Sequence, residues 1–89
     1  MKAVITVVGK DRVGILAEVS TYCSKYNVNI NDVTQSVLSD IFCMIMLCDI
    51  TEINSDFVSF ADGLKKIGNS KNMQINVMHE DIFNSMHNI

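Results

Sequence analysis

Eight consecutive apolar residues, Ile41 to Cys48 (IFCMIMLC), constrain this 89-residue chain more than any other feature. The run is far short of the ~20 residues that a membrane-spanning helix needs. Read as a strand, it is apolar on both faces. Phe42, Met44, Met46 and Cys48 form one row, and Ile41, Cys43, Ile45 and Leu47 form the other. Such a strand belongs in the middle of a sheet, with both faces covered. The composition sharpens that demand. The chain is 48% hydrophobic, whereas a domain of this size buries only roughly 60–65% of its unfolded surface. Apolar surface is left over, and a partner is expected to cover part of it.

Charge and cysteine usage narrow the classes. The net charge is −3, so a phosphate-backbone binder is not expected, and no nucleic-acid partner is assigned. The first apolar stretch ends at Gly9 with no small-residue cleavage pattern, so no secretory signal is expected, and no membrane partner. Three cysteines without a CxxC pair fit a reducing, cytoplasmic compartment.

The order of elements follows from periodicity. Lys2–Val8 is rich in β-branched residues and reads as a strand. After the polar loop Gly9-Lys10-Asp11-Arg12-Val13-Gly14, the residues Leu16, Val19, Cys23 and Tyr26 recur at helical spacing, with Asp11 as the expected N-cap. Asn27-Val28-Asn29 ends that helix, since asparagine tolerates the left-handed cap conformation. Ile30–Leu38 alternates in part, Ser39-Asp40 is a hairpin turn, and the apolar run follows. Asn54 or Ser55 is expected to cap a second helix with a stripe of Phe57, Phe60, Ala61, Leu64 and Ile67, stopped by Gly68 and Asn69. Met73–His79 alternates as a strand, and Ile82, Phe83, Met86 and Ile89 give the tail a short amphipathic helical pattern.

The expectation is a single α+β domain over residues 1–89, of ferredoxin-like βαββαβ order. Right-handed crossovers place both helices on one face of a four-stranded antiparallel sheet of order 4-1-3-2. The two most apolar strands then fall in the centre. The other face of the sheet needs a cover, and the expected interface is Phe42, Met44 and Met46 on the third strand with Ile82, Phe83 and Met86 in the tail.

This fold hosts many functions, so the residues must decide. An RNA-binding sheet would carry aromatic and basic residues on its first and third strands, and only Phe42 is present. A soft-metal carrier needs thiolates in the first loop, and GKDRVG has none. A phosphate-ester hydrolase using Arg12 would need an amide or imidazole on the third strand, which is absent. His79 and His87 are too far apart along a helix to share a metal. No catalytic, metal or cofactor site is expected.

The run Gly9-Lys10-Asp11-Arg12-Val13-Gly14-Ile15-Leu16-Ala17-Glu18-Val19, followed after one helix by Asn27-Val28-Asn29-Ile30, resembles the signature of ACT domains. There a D/N-R-P-G loop opens the first helix and V-N-I opens the second strand. Val13 stands where that family usually has proline. The tail His79-Glu80-Asp81-Ile82-Phe83-Asn84-Ser85-Met86-His87 is similar to that of small stand-alone ACT-domain proteins of bacteria and archaea, which are similar in turn to the ACT repeats of the glycine-cleavage-system transcriptional repressor. The resemblance implies a regulatory domain rather than an enzyme. It implies an amino-acid ligand touched at the positions matching Asp11, Gly14 and Asn29, usually between two domains.

The residue types suit such a ligand. A helix start attracts a carboxylate, Gly14 allows close approach, Asp11 suits an ammonium group, and Asn29 both donates and accepts. The expected site is Gly9, Asp11, Arg12, Val13 and Gly14 with Asn29 and Ile30, near the interface of a homodimer. The plainer alternatives are that Asp11 caps the helix, Gly14 serves packing and Asn29 stops the helix. The chain would then be a ligand-free dimerisation or protein-interaction module.

Overall fold

The computed structural model describes residues 1–10 and 13–87. Its elements run β1 (Lys2–Gly9), α1 (Ile15–Lys25), β2 (Asn29–Leu38), β3 (Ile41–Asp49), α2 (Phe57–Ser70), β4 (Gln74–His79) and α3 (Glu80–His87). The four strands form one antiparallel-paired sheet of order β2-β3-β1-β4. This is the order expected from the handedness rule, and the most apolar strands are central. Ser39 takes φ 60 in the tight turn joining β2 to β3. Asn27 takes φ 62 just beyond α1, a conformation that asparagine adopts more readily than most residues.

One layer of side chains holds the domain together. Ala3, Ile5 and Val7 of β1 meet Phe42, Met44, Met46 and Cys48 of β3 under Ile15, Val19 and Cys23 of α1 and Phe60 and Leu64 of α2. This corrects the expected interface. Phe42, Met44 and Met46 are at most 3% exposed, against their own chain's helices, and are not available to a partner. The row on the other face is Ile41, Cys43, Ile45 and Leu47. A strand apolar on both sides carries no signal of which row faces inward. The register decides it, with Met46 beside Ile5 and Met44 beside Val7.

Local capping also departs from expectation. The N-cap of α1 among the described residues is Gly14, and Asp11 lies outside them. Because α1 starts at Ile15, its inner stripe is Ile15, Val19 and Cys23, and Leu16 is turned outward. The cap of α2 is Asp56, whose carboxylate accepts from the Ser59 amide at 3.0 Å. Asn54 instead donates its side-chain amide to the Lys25 carbonyl and its backbone N–H to the Tyr26 carbonyl. It thereby ties the β3–α2 loop to the end of α1. Helix α2 runs through Gly68 to Ser70, and the positive φ falls at Asn72.

An aromatic cluster locks α1 to α2. Tyr22 and Tyr26 lie 5.4 and 5.7 Å from the Phe60 ring, and the Tyr22 hydroxyl donates to the Phe60 carbonyl at 2.9 Å. Burial, and next the Tyr26 side chain beside it, push the Tyr22 hydroxyl from 10.0 up to about 12. The folded state therefore holds this proton more tightly than the unfolded state. The associated stability is complete below about pH 10 and falls as pH rises towards 12. Urea midpoints of Tyr22→Phe should lack the part of that decline that the wild type shows in this window. An equal decline in both would refute the assignment.

Candidate functional site

The expected site residues divide between the two ends of the sheet. Gly9 closes β1 beside Phe42, which in turn pairs with Val37. The end of β1 and Lys10 therefore lie beside the β2–β3 hairpin. There Lys10 reaches Asp40 at 3.4 Å, and Lys10, Val37, Ser39, Asp40 and Phe42 line a depression of about 270 Å³. Gly14 holds φ 73, and a Cβ built on it would meet nothing within 4 Å. The glycine thus serves the left-handed turn into α1 and not close helix–sheet packing. It leaves open space at the start of the helix and contributes no side-chain cap to the first turn. Val13 is 82% exposed beside it. Asp11 and Arg12 lie outside the described residues.

Asn29 and Ile30 stand at the other end. Asn29 pairs with Asp49, and Asp49 pairs with Lys2 at the start of β1. At ~3.3 Å per residue, the seven steps from Lys2 to Gly9 separate the two groups by about 23 Å. Within one chain they do not form one site. Asn29 and Ile30 instead join Ser20, Ser24, Asn27 and Val28 around a depression of about 230 Å³. Sequence reasoning missed Ser20 and Ser24, although both precede the V-N-I segment on the polar side of α1. Asn27 is occupied structurally, donating its amide to the Glu52 carbonyl at 2.9 Å. Asn29 remains exposed.

The other chemistry-bearing side chains have structural roles. The buried thiols of Cys23 and Cys48 are neighbours in the core. The Cys48 side chain beside it, and burial next, hold the Cys23 thiol well above its ordinary pKa. His79, the last residue of β4, stacks on Phe57 with ring centres 4.2 Å apart. A wider depression of about 460 Å³ lies between the outer sides of α1 and α2, beside Ala17, Thr21, Tyr22 and Ile67. It contains none of the expected ligand residues.

Four strands in this order, under two crossover helices and with a glycine-opened β1–α1 loop, define a ferredoxin-like α+β domain with loop-borne candidate sites. The chain belongs to the ACT-domain family, whose model matches residues 2–78. It is 48% identical over 86 residues to a UPF0237 protein of Methanococcus maripaludis, an alignment covering 97% of this chain and 96% of that protein. It superposes on an ACT domain protein from Streptococcus pneumoniae with TM-score 0.80 and 37% identity, over 93% of both chains. A chain described as a glycine cleavage system transcriptional repressor shares the fold at TM-score 0.68 and 24% identity, over 85% of this chain and 43% of that one.

Proposed function

We propose that this chain is a single-domain regulatory module of the cytoplasm, not an enzyme, that binds a free amino acid between two copies of itself. The observation that carries this reading is the parting of the expected ligand residues to opposite ends of the sheet. Strand β2 is an edge strand with one side unpaired. Its run from Asp32 to Leu38 is regular, beyond a bulge between Ile30 and Asp32. Two copies meeting antiparallel along this edge would bring the Gly9–Gly14 loop of one towards Asn29 and Ile30 of the other. The helix start would then take the carboxylate, Asp11 the ammonium group, and Asn29 either. A ligand held by both copies favours the paired arrangement by its differential affinity, which is how it would regulate. The three free thiols support a reducing compartment.

A thermal-shift screen against the twenty amino acids tests the proposal. One of them at ~100 times Kd should add about 2.7 kcal/mol, a rise of roughly 10 °C or more for a domain this small. Asp11→Ala and Asn29→Ala should each abolish that rise while leaving the unliganded melting point nearly unchanged. No rise with any amino acid would favour the ligand-free interaction module.

A further inference from the structure

The sheet face turned away from α1 and α2 is only half covered. Val4 points to that face, stands apart from the helix-side core, and is nevertheless 3% exposed. Helix α3, which packs on β1 and β4, covers it. Further along the same face the cover ends. Val8, Ile41 and Ile45 are 42%, 41% and 43% exposed. On α3, Phe83 is half-buried, while Ile82 and Met86, one turn apart on a single side, are 52% and 66% exposed.

We infer that this face binds the same face of a second copy, each α3 seating Ile82 and Met86 on the open half of its partner's sheet around Ile45. The fit is self-complementary in the way a two-fold contact requires, a helix on one half of the face and a bare apolar half beside it. Two copies laid face to face and head to tail set each helix against the other's bare half. One layer of helix then fills the space between the sheets.

Charge agrees. The bare half of this face carries no ionised side chain: Val8, Ile41, Cys43, Ile45 and Leu38 share it by register with the uncharged polar residues beside them on β1, β2 and β4, Gln74 and Asn76 among these. Ionised side chains stand at its margins. Lys2, Asp49 and, on the edge strand, Asp32 lie towards one end, with Glu80 and Asp81 of α3 beside Lys2. The Lys10–Asp40 pair lies at the other end. Charged groups around a neutral centre of apolar and uncharged polar side chains are the anatomy of a protein interface rather than of a solvated sheet. Four strands ~4.8 Å apart and about seven residues long give a footprint of roughly 440 Å² in projection. That projection already includes the half under α3, so the bare half and the outer side of α3 together make a contact at the lower end of the interface range, whose standard size is about 800 Å² of accessible surface per partner.

Sedimentation equilibrium of Ile45→Glu and Met86→Lys, alone and mixed, tests the contact. The wild type should exceed the 9.9 kDa chain mass, and each variant alone should have half the wild-type mass. An equimolar mixture should regain it, because a mixed pair sets the introduced carboxylate against the introduced ammonium group once and leaves the second contact native. Both side chains are exposed in the single chain, so circular dichroism should show each variant folded. As a measurement on the unaltered protein, the half-exposed Cys43 thiol on this face should react more slowly with a maleimide as protein concentration rises. A monomeric wild type, variants that keep the wild-type mass, or a mixture that stays at half of it would each overturn the inference. The amino-acid response belongs to the β2 edge and should survive in Ile45→Glu, so the two proposals fail separately.

Discussion

Replacing Phe60 by alanine should bring this protein close to unfolding. Phe60 is fully buried and is the point where α2 meets both tyrosines of α1, at 5.4 and 5.7 Å. Truncating a buried phenylalanine costs about 3–5 kcal/mol in lost transfer energy and residual cavity. A chain of this length has only about 4–13 kcal/mol of stability in total. The melting point should fall by roughly 15–30 °C, read by circular dichroism. The Tyr22 hydrogen bond is to the backbone carbonyl of Phe60, so it is retained and the loss reports packing alone. Phe60→Leu, which fills most of the space, should lose less than half as much. A fall under about 5 °C for alanine would mean that this cluster does not hold the helices.

Gly68→Ala should be the second most damaging change, although alanine is the better helix former by about 1 kcal/mol. A Cβ at Gly68 would stand 2.6 Å from the Met73 carbonyl oxygen and 2.8 Å from Ile75 Cγ1. The Met73 backbone is held to the same residue, its amide donating to the Gly68 carbonyl at 2.8 Å. It cannot retreat without shifting the start of β4. Overpacking against fixed backbone costs about 1–3 kcal/mol, which exceeds the helical gain at all but its lower end. Gly63→Ala in the same helix makes the control. Its Cβ would meet the Tyr22 hydroxyl and, behind it, the ring carbon that carries it, so a side chain and not backbone must give way, and the ring gives up its bond to the Phe60 carbonyl. Helix propensity offsets the lost hydrogen bond of about 1 kcal/mol, what remains is the displaced Tyr22 ring, and the urea midpoint should fall by less than for Gly68→Ala. Equal effects at the two glycines would show that backbone contact is not the cause.

These two glycines illustrate the limit of sequence reading. Both interrupt the same amphipathic pattern, and nothing around them says which one touches backbone. Gly14 is similar. Its place in the loop motif is legible, but its positive φ, with open space where a Cβ would stand, is a tertiary fact. The cap of α2 falls at Asp56 and not at the expected Asn54 or Ser55, because a run of Asn, Ser and Asp offers several acceptable caps. Competition from the Lys25 carbonyl for Asn54 leaves the role to Asp56.

The order of elements, the central place of β1 and β3 and the sheet order were legible because periodicity and crossover handedness are local or topological properties. So was the surplus of apolar residues for a chain this short. The candidate ligand residues were legible as types but not as a constellation, since the motif does not show that β2 starts about 23 Å along the sheet from the loop. Nor could the chain itself say which apolar row of β3 is buried. Side chains alternate along a strand whichever way it faces, and only the pairing of Met46 with Ile5 and Met44 with Val7 sends Phe42, Met44 and Met46 to the helices. The register of the sheet thus turns Ile41, Cys43, Ile45 and Leu47 away from the helices, and the packing of α3 leaves only part of that face bare.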